Sequence, residues 1–170
     1  MIFSEVQLGQ GRRVTLRPEG DGDEPLLLQL YASTREEELA LTGWDERTRA
    51  LFVQSQLQAQ RAAYRSMFPT ADFAIILLEA AAIGRIVVHQ TPEEIRLVDL
   101  IIAPASRNQS LGSALLHALL SEARRQNKPA RLHVVQNNRA ARLYQCLGFR
   151  TIAVHGVHDE MEWRAPETKP

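Results

Sequence analysis

Ile95-Arg-Leu-Val-Asp-Leu-Ile-Ile102 leads through Pro104-Ala-Ser-Arg-Asn-Gln-Ser-Leu-Gly112 into a long amphipathic run ending near Gln126, and this stretch decides the fold. Its first part is β-rich and stops at Pro104. Its last part, Ser110 to Gln126, carries Leu111, Ala114, Leu115, Ala118, Leu119 and Glu122 at helical spacing. Asn127 and Pro129 end that helix, and Arg131-Leu-His-Val-Val135 is the next strand. A strand–helix–strand unit implies a right-handed crossover, with its two strands parallel or splayed.

Upstream, Asp72-Phe-Ala-Ile-Ile-Leu-Leu-Glu79 and Ile83-Gly-Arg-Ile-Val-Val-His89 are β-rich runs joined by a short Ala-rich turn, which predicts a hairpin. They lie too close to hold a crossover helix, which argues against a doubly wound parallel sheet. Farther upstream, Arg13-Val-Thr-Leu-Arg17 is a strand stopped by Pro18 and the Gly/Asp cluster at 20–23. Pro25 suits the first turn of a helix whose apolar face is Leu26, Leu27, Leu30 and Tyr31, and a second helix is expected from about Asp45 to Ser66. Downstream come a short helix from Asn138 to Leu147, Gly148 as its left-handed C-cap, and closing strands at Phe149 to Val154 and Glu160 to Trp163. The expectation is an α/β protein with a mixed, mostly antiparallel sheet flanked by helices and two splayed parallel strands. One domain over residues 1–164 is expected, with a frayed tail at 165–170.

Lys plus Arg equals Asp plus Glu at 20 each, so the chain lacks the basic excess of a general nucleic-acid binder. A lone cysteine, Cys146, excludes an intramolecular disulfide and fits a reducing compartment. No stretch approaches the ~20 apolar residues of a membrane helix. The start, Met-Ile-Phe-Ser-Glu-Val-Gln, has no signal-peptide pattern. A cytoplasmic protein is the default expectation.

The turn into the helix at Ser110 carries chemistry. A helix N-terminus presents unpaired N–H groups and a partial positive charge, which together seat a phosphate. A small residue at 110 and glycine at 112 let the backbone come close, and Arg107 can add a charge-assisted contact. No Walker lysine follows and no Gly-x-Gly-x-x-Gly occurs, which argues against nucleotide hydrolysis and dinucleotide binding. On this segment alone, an ordinary strand–loop–helix with a serine cap explains the residues equally well.

The second segment, Asn137-Asn-Arg-Ala-Ala-Arg-Leu-Tyr-Gln-Cys-Leu-Gly-Phe149, follows a strand at the right distance. Together the two resemble the signature motifs of the GNAT superfamily of N-acetyltransferases: Arg/Gln-x-x-Gly-x-Gly/Ala, then Asn-x-x-Ala-x-x-Leu-Tyr-x-x-x-Gly-Phe. The resemblance covers roughly residues 12–164, with its specificity concentrated in 95–149. It implies a GNAT-like fold and an enzyme that moves an acetyl group from acetyl-CoA to an amine, small-molecule or protein.

Residue by residue, the resemblance implies that Leu100, Ile101 and Ile102 line the pantetheine arm. Arg107 and the backbone of Asn108, Gln109, Ser110, Leu111, Gly112 and Ser113 would hold the pyrophosphate. Asn137 and Ala140 fall at the motif's cofactor-positioning places, and Tyr144 at the tyrosine near the thioester sulfur. Ser110 stands where the motif has its first glycine; a helical or N-cap serine is expected there, since a left-handed one would be penalised. No metal is expected: His155 and His158 with Asp159 read as a hairpin surface.

The implied mechanism is direct attack of the amine through a tetrahedral intermediate, with a backbone N–H near Ile102 stabilising the oxyanion. Tyr144 is the expected acid for the departing thiolate. For the base, Glu94 at the strand's start competes with a plain solvated loop carboxylate. Asp99, inside an apolar strand, reads as paired with Arg85 or Arg96, with a base role as the alternative. His133 reads as a satisfied sheet histidine. A catalytically silent acyl-CoA-binding or regulatory module is the alternative function, and the exposed edge of a closing strand offers a route to a homodimer.

Overall fold

The computed structural model describes residues 2–136 and 138–166, apart from the side chains of Gln10 and Arg139. In chain order the elements are β1 (Glu5–Gln7), β2 (Arg13–Pro18), α1 (Glu24–Thr34), α2 (Glu36–Ala40), α3 (Glu46–Met67), β3 (Asp72–Leu78), β4 (Ala81–Gln90), β5 (Ile95–Ile102), α4 (Leu111–Arg125), β6 (Ala130–Val135), α5 (Arg139–Cys146), β7 (Arg150–His155) and β8 (His158–Trp163). The strands form one sheet in the order β1-β2-β3-β4-β5-β6-β8-β7. Every neighbouring pair is antiparallel except β5–β6, which is parallel. The expected mixed α/β architecture is therefore present.

Two elements escaped the sequence reading. β1 is three residues long and acquires strand geometry only by pairing Glu5–Gln7 with Arg13–Thr15. α2 is a five-residue turn of helix whose one buried residue, Leu39, packs beneath α1 and α3. Neither is long enough to print a periodicity.

The sheet is covered on both faces by different helices. β3 alternates accordingly: Ala74 and Ile76 join the core beneath α4, whereas Ile75 joins Leu27, Tyr31, Val53 and Leu57 of α1 and α3. The α4 stripe of Leu111, Leu115, Leu116, Leu119, Leu120 and Ala123 is buried against the first of these faces. α3 starts at Asp45, whose carboxylate accepts from Thr48 N–H at 2.7 Å, a side-chain N-cap. Asp23 ties the start of α1 to β2: Arg17 donates two hydrogen bonds to its carboxylate, at 2.7 and 2.5 Å. Ala165, expected in the frayed tail, instead packs partly buried against the core, while residues 167–170 lie outside the described residues.

Two irregularities coincide on β5. Val87 pairs with Asp99 but Val88 pairs with Leu97, so Val98 is an extra residue, a β-bulge. On the other edge, the described β5–β6 pairing covers only Ile95–Leu97 against Ala130–Leu132. Beyond that point β5 stays bonded to β4 through Ile102, while its β6 edge opens. Gly84 makes the β4 side possible, because a Cβ there would collide with the Ile101 carbonyl oxygen. The result is a wedge between two parallel strands, with one row of β5 backbone groups unpaired by its neighbour. Such groups demand hydrogen-bond partners.

Candidate active site

The loop from β5 to α4 passes through a 3-10 turn at Pro104–Ser106 and then reverses twice, at Asn108 (φ 62°) and Ser110 (φ 59°). Ser110 is the N-cap of α4, but it is left-handed and its hydroxyl makes no capping bond. This corrects the expectation of an ordinary capping serine. The backbone has to leave the loop with the N–H groups facing outward, and that requirement outweighs the serine's local preference. The first i→i−4 bond of the helix runs from Ala114 N–H to the Ser110 carbonyl at 3.0 Å. The N–H groups of Leu111, Gly112 and Ser113 precede it and have no helical acceptor.

Gly112 sharpens the point. A Cβ there would meet Leu143 Cδ2 at 3.7 Å and Ile102 Cδ1 at 3.9 Å, ordinary contact distances. The fold itself therefore tolerates a side chain at 112. What glycine provides is the absence of a side chain beside the N–H groups of Leu111, Gly112 and Ser113, at the positive end of a 15-residue helix. Such a surface is a seat for an anion.

Arg107 is placed differently from its expected role. Its Nε donates to the Ile102 carbonyl at 2.9 Å and its Nη2 to the Ser33 hydroxyl at 3.0 Å, so it latches the loop to β5 and α1. The cation that reaches Gln109 is Arg12, whose Nη1 donates to Gln109 Oε1 at 3.0 Å. No pattern around Arg12 marks it in the sequence, because 97 residues separate the partners.

Beyond the bulge, Leu100 and Ile102 pack partly buried against the α4 side of the core, and Ile101 alternates to the other face. Asp99, the first residue beyond the bulge, is held by Arg85 through its Nε (3.1 Å) and Nη2. Arg85 is 1% exposed and also donates from Nη2 to Gln60 Oε1 at 2.9 Å. Its charge lies 6.0 Å from the Tyr64 ring centroid. Despite that pairing, burial raises the Asp99 carboxyl above its usual range, with the guanidinium and the Leu100 N–H opposing.

Tyr144 lies on α5. It is 9% exposed, sits edge-on to Phe149 at 5.8 Å between centroids, and packs in the core under α4. Burial, and secondarily the Asp99 charge, push its phenol up to about 12. Tyr64 is likewise pushed up to about 12, by burial first and then by Asp99. Two phenols thus feel one carboxylate at the mouth of the splay. Asn138 caps α5 by accepting from Ala140 N–H at 2.9 Å, which sets the helix carrying Tyr144. Asn137 lies outside the described residues.

Glu94 is not in this group. It precedes β5 at the closed end of the β5–β6 pair, five residues from Asp99, or about 16 Å along an extended strand. It is neither solvated nor poised at the wedge: Arg96 Nε (2.7 Å) and Arg131 Nη1 (3.0 Å) hold its carboxylate. The same arginines continue to Glu160 and Glu162 across the sheet face. His133 enters this network by Nδ1, 3.1 Å from Arg96 Nη1. A guanidinium only donates, so that nitrogen accepts and Nε2 carries the proton. His133, His155 and Glu160 do bring ligand atoms within 4.8 Å of one another. With Arg96 bonded to both His133 and Glu160, the cluster reads as an ion-pair network. Along α1 and the link from α2 to α3, Tyr31 is buried, whereas Leu41 is 88% and Trp44 39% exposed.

The acetyltransferase (GNAT) family model matches residues 31–149, which include the wedge, the α4 N-terminus and Tyr144. The chain belongs to the GNAT acetyltransferase family. Membership implies acyl-CoA-dependent acetyl transfer, with acetyl-CoA as the family's donor. Solved structures share the fold. The PaiA N-acetyltransferase of Thermoplasma acidophilum, in complex with coenzyme A, is 17% identical, with 89% of this chain and 99% of that one covered and a TM-score of 0.65. An acetyltransferase from Thermus thermophilus is 20% identical, covering 89% and 97%, with a TM-score of 0.64. Ard1 from Thermoplasma volcanium is 23% identical, covering 91% and 99%, with a TM-score of 0.56. No curated protein matches the chain. Among the described residues no helix is long and apolar enough to cross a membrane.

Proposed function

We propose that the chain is an N-acetyltransferase in which a primary amine attacks the thioester carbonyl of acetyl-CoA directly, at the mouth of the β5–β6 wedge. The observation that carries this reading is the β5 edge that becomes free beyond the Val98 bulge, with the N-terminus of α4 and the buried phenol of Tyr144 on the core face it borders. Acetyl-CoA supplies the activated acetyl group. The free backbone edge of Leu100, Ile101 and Ile102 offers hydrogen-bond partners to the amides of its pantetheine arm. The N–H groups of Leu111, Gly112 and Ser113 take its pyrophosphate.

The phenol of Tyr144 stays protonated across the working pH range, because burial holds it near 12. A thiol of ordinary pKa near 8.5 is roughly 3.5 units more acidic. Tyr144 therefore serves the departing sulfur as a hydrogen-bond donor: the C–S bond breaks to a thiolate whose charge the phenol O–H stabilises, and that thiolate, the weaker base of the two, takes its proton from solvent. Asp99, fixed in position by Arg85, attracts the cationic acceptor; the amine attacks as the free base after giving one proton to solvent, and the tetrahedral adduct gives up a second N–H proton to solvent as the C–S bond breaks. Near α1 and α3, a groove of about 540 Å³ has an apolar floor of Leu28, Ala32, Leu39 and Val53 and carries Glu36 and Glu46 together with Arg49.

Thiol release from acetyl-CoA with a panel of small amines and lysine peptides tests the proposal. Wild type is expected to turn over, and Tyr144→Phe to lose about two orders of magnitude in kcat, the contribution of a positioned proton donor. Unchanged turnover by Tyr144→Phe removes its role. Coenzyme A binding without turnover across the panel identifies a silent acyl-CoA-binding module instead.

A further inference from the structure

The loop that offers its N–H groups at the start of α4 carries Arg107 and is reached by Arg12, and among the described residues neither arginine meets a carboxylate. Arg107 donates to a carbonyl and a hydroxyl. Arg12 donates to the Gln109 side-chain oxygen, and its buried Nε has no partner among the described residues. The arginines of the sheet-face network, by contrast, are each matched by a glutamate. Two cations with no counter-charge among the described residues, beside the positive end of a helix, make a local field that calls for an anion.

The two arginines are not equivalent. Both of Arg107's bonds point back to β5 and α1, where they hold the loop in place. Arg12 comes from outside the segment that matches the family model: it closes the turn Gly9–Gly11, where its carbonyl accepts from Leu8 N–H at 2.8 Å, and it immediately precedes β2. β1 lies beside α4, and Val6 and Leu8 pack against the core that the α4 stripe helps form, which brings Arg12 within reach of Gln109. Gln109 is braced there from both ends, accepting from Arg12 and donating from Nε2 to the Ala105 carbonyl at 3.4 Å. The guanidinium is thus positioned by a neutral amide, which fixes its geometry and leaves its charge unspent.

We infer that Arg12 is a phosphate-binding residue of the coenzyme A site, supplied by the β1–β2 connection, with Gln109 as its positioning residue. The inference rests on the acyl-CoA reading above and adds to it a ligand that no motif contains. The group recognised is a phosphate of the cofactor, either the pyrophosphate or the 3′-phosphate.

Calorimetry on the full chain separates these outcomes, with coenzyme A, dephospho-coenzyme A and pantetheine as the probes. Arg12→Gln and Arg12→Ala are each expected to weaken coenzyme A by about tenfold to a hundredfold, the worth of one charge-assisted hydrogen bond. They are also expected to flatten the salt dependence of its dissociation constant, with Arg12→Lys recovering part of both. Pantetheine, which has neither phosphate group, should bind all variants alike. A defect that persists with dephospho-coenzyme A assigns the pyrophosphate; one that vanishes assigns the 3′-phosphate. Wild-type affinity and salt slope in both Arg12 variants overturn the inference, as does an equal loss for pantetheine, which would mark a purely structural role. Wild type failing to bind coenzyme A would instead overturn the acyl-CoA reading itself.

Discussion

Replacing Arg85 by methionine should be among the most damaging single changes in the protein, and its size follows from where the guanidinium sits. Arg85 is 1% exposed and the Asp99 side chain 15%, so the pair lies in the sheet's interior under α3. Methionine fills the volume of the aliphatic stem, so the cavity term is small. The loss comes from a carboxylate left without its cation, which costs about 3–5 kcal/mol against a global stability of roughly 5–15 kcal/mol. Asp99→Leu in the same chain removes the stranded charge, and the double variant should return to within about 1–2 kcal/mol of wild type. The pH dependence has a definite sign. The folded-state pKa of Asp99 is raised, so its contribution favours the fold in acid and is lost as pH rises through the folded value. Removing Arg85 raises that value further, so Arg85→Met should lie closest to wild type near pH 5 and fall behind toward pH 8. Urea titrations at both pH values, followed by the fluorescence of buried Trp163, measure all three quantities. A single variant costing under about 1 kcal/mol, or a double variant as unstable as the single, would refute the account of a buried pair.

Ser110→Gly should be neutral to stabilising by up to about 1 kcal/mol, because it relieves a left-handed serine whose hydroxyl caps nothing. Ser110→Val should cost roughly 1–2 kcal/mol by thermal melting, and equal effects of the two would mean the backbone is not left-handed. Gly84→Ala drives a methyl group into the Ile101 carbonyl and should lose about 1–3 kcal/mol, whereas Gly112→Ala should keep wild-type stability while weakening coenzyme A. The Asp23 carboxyl is lowered from 3.8 to about 2 by the Arg17 hydrogen bonds, so its stabilisation is present above pH 3.8 and lost as pH falls toward 2. Acid melting curves should therefore fall more steeply in wild type than in Asp23→Asn across that window, and parallel curves would show that the pair contributes nothing.

The sequence by itself determined the parts whose information is local. The α4 stripe from Leu111 to Ala123 and the paired runs of β3 and β4 write their partners into the chain as periodicity, and the two motifs around Gly112 and Tyr144 fixed the family before any coordinate. The tertiary structure decided what depends on residues far apart in sequence. The Val98 bulge is invisible in Ile95–Ile102, because a bulge is a mismatch between two strands and no single strand contains it. Glu94 and Asp99 look alike as carboxylates on one strand, and only the opening of β5 from β6 puts one at the wedge and the other in an arginine network. Ser110 takes a conformation that its own preference opposes, since the path of the loop outweighs a local cost of about 1 kcal/mol. Arg107 carries the motif's position but holds the loop, and Arg12, at the other end of the chain, brings its charge to Gln109. Backbone pattern and helix faces are set by neighbours in sequence; the pairing of charges is set by neighbours in space.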